Sequence, residues 1–106
     1  MKYKTNKLKR LENKRFSLLT DDLEHCIIHT DKASDDINEI FMGRNRINSM
    51  KYGLCIPLCR YCHSNYHNNR DMQLYWMKKG LNEFLKEHTK EDFQNSFKYI
   101  KGLDIF

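Results

Sequence analysis

Four residues with metal-binding side chains form two pairs, each with a two-residue spacer. The first pair is Cys26 and His29, and the second pair is Cys59 and Cys62. This spacing lets both side chains of a pair reach one ion at the distances of about 2.0–2.3 Å that zinc requires. Two such pairs complete a closed tetrahedral site, which is the structural rather than the catalytic arrangement. The sequence therefore predicts one structural Zn²⁺ that ties together the two ends of the segment 30–58.

Cys55 and His25 are alternative metal ligands, and disulfide bonds are an alternative role for the cysteines. Cys55 lies in an apolar run, where a free thiol is expected to pack as a small hydrophobe. His25 directly precedes Cys26, and adjacent side chains cannot easily point at one ion. Disulfides are the alternative for all four cysteines. The first residues lack the apolar region of a secretory signal, so we expect the cytoplasm, where cysteines more often bind metal.

Two more imidazoles follow the second pair. His63 comes directly after Cys62, and His67 lies four residues further on. On a helix, positions four residues apart share a face, so the two histidines could bind a second, separate metal. The alternative is that both side chains face solvent, His67 within the asparagine-rich segment 64–70 and His63 directly before it.

The composition indicates that the chain needs a cross-link of some kind to be stable. With 106 residues, of which 40% are apolar and 31% charged, the chain has room for one domain with a small core. Domains of this size usually need a disulfide or a metal to be stable. No segment approaches the length that crosses a membrane, so we expect no membrane association.

The elements that must position the metal ligands follow from the apolar pattern. Residues 16–19 read as a short strand-like run, and residues 44–52 as a short helix or ordered loop. Residues 54–58 read as a buried strand, which Pro57 restricts to an edge or an end. That strand leads directly to Cys59.

The C-terminal part, residues 71–101, has a helical pattern. Its apolar residues recur at three- and four-residue steps, which places them on one face: Leu74, Met77, Leu81, Phe84 and Leu85. Thr89 and Asp92 resemble a capping box that begins a last helix, with Phe93, Phe97 and Ile100 facing inward. Strands followed by helices predict an α+β fold.

Residues 1–15, which we call the basic arm, carry a net charge of +6, whereas residues 16–106 sum to −1. A basic arm on a nearly neutral domain suits phosphate contact by a flexible tail, with Lys7, Lys9 and Arg10 as candidate DNA contacts. The alternative is a solvated terminus that promotes solubility.

The segment 38–67, which reads NEIFMGRNRINSMKYGLCIPLCRYCHSNYH, resembles the HNH nuclease signature of small phage proteins. The matching residues are Ile40, Phe41, Gly43, Tyr52, Gly53, Leu54, Leu58, Cys59, Cys62, His63 and His67. With Cys26 and His29, the resemblance covers about half of the chain. It implies the ββα-metal fold, in which a β-hairpin and a helix surround one catalytic divalent metal. Here that domain would be stapled by zinc and followed by C-terminal helices.

The resemblance also implies an activity, the hydrolysis of DNA phosphodiester bonds in a phage recombination or genome-processing system of a bacterial host. His63 and His67 would hold Mg²⁺ or another divalent ion. The histidine that usually acts as general base is replaced here by Asn38 and Glu39. Asn38 cannot act as a base near neutral pH, whereas Glu39 could bind metal or accept a proton.

Further residues take roles by analogy with the family. Asn45 and Asn48 could replace the motif asparagine that orients the base. Cations flank the site and would hold the DNA backbone: Arg44, Arg46, Lys51, Arg60 and Arg70. Two alternatives remain open beside an active endonuclease. One is a catalytically inactive, zinc-stabilised DNA-binding module, and the other is a zinc protein-interaction domain that uses its C-terminal helices.

Overall fold

The structure is a computed structural model that describes residues 6–106, with side chains described from residue 9 onward. The first five residues of the basic arm and the side chain of Lys7 therefore lie outside the described residues. The elements, in chain order, are α1 (Asn6–Asn13), β1 (Asp36–Glu39), a 3-10 turn (Gly43–Asn45), α2 (Arg46–Lys51), β2 (Cys55–Leu58), α3 (Arg60–Asn68), α4 (Arg70–Phe84) and α5 (Lys90–Ser96). The predicted α+β class is confirmed.

The two strands form an antiparallel sheet in which Asn38 lies opposite Ile56 and Glu39 opposite Cys55. Every residue of β2 is buried, as predicted for this apolar run. Pro57 has no backbone N–H with which to bond a neighbouring strand. It fits here because both strands of a two-stranded sheet are edge strands. Its carbonyl oxygen accepts a hydrogen bond from the backbone N–H of Ile27 (2.9 Å), which brings the first ligand pair towards the strand.

Helix α3 follows β2 without a connecting loop, since Cys59 is already its N-cap residue. The helix packs against both strands. The buried hydroxyl of Tyr66 donates a hydrogen bond to the carbonyl oxygen of Ile40 (2.8 Å), which fixes the helix next to β1. The order strand, strand, helix therefore places the end of β1 beside the first two turns of α3.

The C-terminal helices bury most of their predicted apolar stripe in the core: Met77, Leu81 and Phe84 are buried. Leu74 is only partly buried, and Leu85, which follows the last residue of α4, is exposed, which corrects that part of the prediction. Both hydrogen bonds of the predicted capping box, between Thr89 and Asp92, are present. The last helix ends at Ser96, however, and does not extend to residue 101. Two asparagines account for this early end: Asn48 Nδ2 donates to the carbonyl oxygen of Ser96 (2.5 Å), and Asn45 Oδ1 accepts from the N–H of Lys98 (2.7 Å).

Two expectations for the N-terminal region are corrected by the structure. The basic arm is not a flexible tail throughout, because Asn6–Asn13 is helical and packs against α2. Residues 16–19 form no strand, although Leu18 N–H donates to the carbonyl oxygen of Gly53 (2.8 Å). Gly53 has φ +72°, a conformation that favours glycine, and the ring of Phe16 lies against it. Across the described residues, no helix has both the length and the apolar character needed to cross a membrane.

Candidate functional site

The first ligand pair lies in a tight turn that the backbone closes on itself. Cys26 N–H donates to the carbonyl oxygen of Lys32, and Lys32 N–H donates to that of His29, both at 2.9 Å. The backbone N–H of His29 also lies 3.3 Å from Cys26 Sγ, so the thiol sits over the turn. The second pair is positioned by the start of α3, whose N-cap residue is Cys59.

The four predicted ligand atoms converge, with all of them within 4.8 Å of one another. His29 Nδ1 lies 3.2 Å from Cys62 Sγ and 3.8 Å from Cys59 Sγ. A tetrahedral zinc ion with ordinary bond lengths places its nitrogen and sulfur ligands about 3.6 Å apart, so the observed distances fit. The cluster could hold a metal ion and is compatible with structural zinc, as expected for a zinc-stabilised module.

The thiols of the cluster differ in how readily they ionise. Burial, together with hydrogen bonds to Cys59 and Cys26, raises the pKa of Cys62 to about 12. Burial also opposes ionisation of Cys26, but backbone hydrogen bonds from Cys59 and His29 outweigh it and lower the pKa of that thiol. The buried thiols therefore compete for negative charge. A bound divalent cation favours every thiolate at once, so binding releases protons.

Cys55 and His25, the two alternative ligands, do not belong to the metal-binding cluster. Cys55 is fully buried, with its Sγ 4.0 Å from the carbonyl oxygen of Ser49. Burial, followed by the negative charge of Glu39, raises the pKa of Cys55 to about 12, which is the behaviour of a packed core thiol. His25 Nδ1 lies 2.8 Å from a carboxylate oxygen of Asp22 and is occupied there.

A cleft of about 420 Å³ opens between β1, α3 and the end of the basic arm. We call it the histidine cleft, because His63 and His67 line it together with Asp36, Asn38 and Glu39. The Nε2 atoms of the two histidines lie 2.9 Å apart. The structure therefore brings together both predicted imidazoles and both residues at the predicted position of the base.

Asp36 is a member of this cleft that sequence reasoning missed. Its Oδ2 lies 2.9 Å from His63 Nδ1. An ionised carboxylate can only accept, so Nδ1 is the donor of this pair; in the neutral imidazole that a metal requires, the lone pair of His63 then lies on Nε2, on the side of His67. The alternation of side chains along a strand could have found it, because Asp36 lies two residues before Asn38 and therefore on the same face.

The two residues that replace the usual base have different environments. Asn38 is only 4% exposed, and its Nδ2 has no hydrogen-bond partner among the described residues. Glu39 pairs through Oε1 with Arg15 Nη2 and with Arg46 Nε, the latter at 3.5 Å. Arg15, the last residue of the basic arm, is a second member of the cleft that sequence reasoning missed. The carboxylate of Glu39 is thus held by two guanidinium groups.

Asn45 does not line the histidine cleft, which corrects the expectation that it orients the base. Both polar atoms of its amide are used by the backbone of Lys98, at 2.7 and 3.3 Å. Asn48 Nδ2 likewise donates to the carbonyl oxygen of Ser96. These amides stabilise the segment after α5 instead.

Of the predicted DNA contacts whose side chains the structure describes, Arg46 alone lines the histidine cleft. The Nζ of Lys51 lies 5.4 Å from the ring centroid of Tyr52, and Arg70 donates to Gln73 Oε1 (3.0 Å). The other predicted contacts with described side chains are exposed: Lys9, Arg10, Arg44 and Arg60. Comparisons of this chain with protein-family models, curated proteins and solved structures found no match.

Proposed function

We propose that this chain is a metal-dependent endonuclease of the HNH type, which hydrolyses DNA phosphodiester bonds in the bacterial cytoplasm as part of a phage genome-processing system. The observation that carries the proposal is the pairing of His63 and His67 in one cleft, with Asp36 behind His63 and Glu39 beside them. The order β1, β2, α3 and the zinc-compatible cluster at the start of α3 support it.

The paired histidines fit a divalent ion. Neighbouring ligands of an octahedral ion at about 2.1 Å lie about 3.0 Å apart, and the two Nε2 atoms are separated by 2.9 Å. Asp36 would orient His63 as a carboxylate orients many metal-binding imidazoles. Such an ion would stabilise the negative charge that develops on the phosphate and the leaving oxygen.

The protein's own residues would position the phosphate and move the proton. Arg15 and Arg46 reach the cleft and are suited to bidentate contact with phosphate oxygens. Once these guanidinium groups turn to the phosphate, the carboxylate of Glu39 is free to accept the proton of the attacking water. Asn38 cannot take that proton, but its unpaired Nδ2 can donate a hydrogen bond in the cleft.

A second candidate function is a DNA-binding module without efficient turnover. It is favoured by one observation, the pairing of Glu39 with Arg15 and Arg46, which occupies the carboxylate that would act as the base. The third possibility, a protein-interaction domain that uses the C-terminal helices, receives less support because most of their apolar stripe is buried in the core.

A plasmid-nicking assay with Mg²⁺, Mn²⁺ and Ni²⁺ separates these functions, with zinc content measured on the same samples. We expect the natural chain to nick the plasmid, Asn38→His to be faster, and His63→Ala to lose activity while keeping one zinc per chain. Absence of cleavage in all three proteins, with DNA binding intact, would favour the binding module. Absence of both cleavage and DNA binding would overturn the proposal.

A further inference from the structure

A second concave surface, of about 240 Å³, begins where the histidine cleft ends, since Met42 lines both. We call it the cationic groove, because its charged residues are Arg44, Arg70, Lys98 and Lys101. No acidic residue lines it in the part of the chain that the structure describes. Gly43, which follows Met42 and lines the histidine cleft, has no atom within 4 Å of the position that a Cβ would occupy.

The segment that supplies both lysines is fixed at its two ends. Asn45 holds the backbone N–H and carbonyl oxygen of Lys98. Arg70 donates to the carbonyl oxygen of Lys101 and, through its other terminal nitrogen, to Gln73 Oε1. Neither lysine forms a side-chain ion pair with a described residue. Their charges are therefore presented to solvent on a fixed backbone.

An exposed aromatic ring lies between these lysines. Tyr99 is 69% exposed, and its ring lies near that of Phe106, with a centroid distance of 5.7 Å and an angle of 60° between the ring planes. Exposed aromatic rings next to cations are typical of surfaces on which nucleic-acid bases stack while the backbone is held by charge.

We propose that the cationic groove binds the sugar–phosphate backbone of the substrate beside the scissile phosphate. This inference rests on the proposed function, since it takes nucleic acid as the ligand of the histidine cleft. The strand runs from the cleft past Met42 and Gly43, its phosphates contact Lys98 and Lys101, and a base stacks on Tyr99. Lys98, Tyr99 and Lys101 are thus binding residues that lie far along the chain from the nuclease-like segment 38–67.

The test is fluorescence anisotropy with a labelled DNA oligonucleotide, single-stranded or duplex, on the zinc-loaded chain without added magnesium. The double variant Lys98→Ala/Lys101→Ala is compared with the control Lys78→Ala/Lys90→Ala, which removes the same charge from exposed lysines outside the groove. We expect the groove variant to bind duplex at least about 5-fold more weakly, with a salt slope smaller by about 2. Tyr99→Phe should bind as the natural chain does, and Tyr99→Ala should bind single strands more weakly.

The outcomes distinguish this inference from the proposed function. Weaker binding by the groove variant alone supports the groove, whether or not the natural chain cleaves DNA. Equal losses in the groove and control variants, or no loss in either, would overturn the groove while a nicking assay could still uphold the nuclease. A natural chain that binds neither form of DNA would overturn both.

Discussion

The Nε2 atoms of His63 and His67 lie 2.9 Å apart on one face of α3. Two imidazole nitrogens at this distance must either share a proton or both direct lone pairs at a cation between them. Because His63 Nδ1 lies against the carboxylate of Asp36, Nε2 is the atom that carries the lone pair when the imidazole is neutral, as metal binding requires. Asp36 therefore decides which nitrogen of His63 can bind a metal.

The first prediction concerns this orienting role. Replacing Asp36 by Asn removes the charge that favours a proton on His63 Nδ1, so Mn²⁺ should bind the cleft about 10–100-fold more weakly. Mn²⁺ binding to the zinc-loaded chain can be measured by electron paramagnetic resonance, which does not depend on turnover. We expect His63→Ala to lose binding altogether. Mn²⁺ affinity unchanged in Asp36→Asn would show that the carboxylate does not position the imidazole.

The second prediction compares the stability effects of Cys59, a residue of the metal-binding cluster, and Cys55, the cysteine outside it. Cys59→Ser should release the metal and unfold the chain, because structural zinc contributes about 10–16 kcal/mol where a whole domain is stable by about 5–15 kcal/mol. Cys55→Ala should keep one zinc per chain and lose only about 1–2 kcal/mol from the cavity it leaves. Zinc analysis and far-ultraviolet circular dichroism distinguish the two variants. A folded, zinc-free Cys59→Ser protein would contradict a structural role for the metal.

The cluster of Cys26, His29, Cys59 and Cys62 was predictable from sequence because its geometry is mostly local. A two-residue spacer fixes each pair, and only the meeting of the two pairs depends on the fold. The buried strand 54–58 and the Thr89–Asp92 capping box were predictable for the same reason. Each depends on the chemistry of a few neighbouring residues.

The missed features depend on contacts between residues distant in sequence. Arg15 reaches Glu39 across 24 positions, and Asn45 reaches Lys98 across 53. The second contact ends α5 at Ser96, a result that the apolar periodicity of residues 93–100 could not reveal. Whether Asn38 and Glu39 support catalysis stays a prediction, because it depends on this same long-range environment.

The third prediction concerns Asn38, whose buried Nδ2 has no hydrogen-bond partner within residues 6–106 as described. A buried, unpaired amide lowers stability, so Asn38→Leu should leave the free energy of unfolding unchanged or raise it by up to about 2 kcal/mol. If the amide donates a hydrogen bond to the phosphate or to the attacking water, the rate of plasmid nicking should also fall. Urea unfolding and the nicking assay on one preparation test both parts. A loss of stability in Asn38→Leu would mean that the amide is structurally satisfied.

The fourth prediction is a pH dependence that comes from Cys55. Burial raises the pKa of this thiol from 9.0 to about 12, so the neutral form is favoured in the folded state. The resulting stability is fully present below pH 9 and is lost as the pH rises towards 12. The loss should approach about 1.4 kcal/mol per pH unit in this window.

Urea unfolding of the zinc-loaded chain at about pH 8 and about pH 10.5 measures this loss. Cys55→Ala should show a smaller decrease between the two pH values. Some decrease will remain, because burial also raises the pKa of Tyr66. Equal decreases in the natural chain and in Cys55→Ala would exclude the thiol as a cause.

The fifth prediction concerns the basic arm, whose helical part carries exposed cations. Deletion of residues 1–15 should weaken DNA binding and flatten its salt dependence, but it would also remove Arg15 from Glu39. The triple variant Lys9→Ala/Arg10→Ala/Lys14→Ala tests the arm more specifically than the deletion. Alanine favours the helix, and the ion pair between Arg15 and Glu39 is kept.

If all three side chains of the triple variant contact phosphates, the salt slope for duplex binding should fall by about 2.7. A matched control removes three exposed lysines elsewhere, with the changes Lys32→Ala, Lys78→Ala and Lys90→Ala. Affinity measured across a range of salt concentrations compares the two triple variants directly. Equal slopes would show that the arm affects binding only through net charge, whereas a flatter slope in the arm variant alone would place its helix against the DNA backbone.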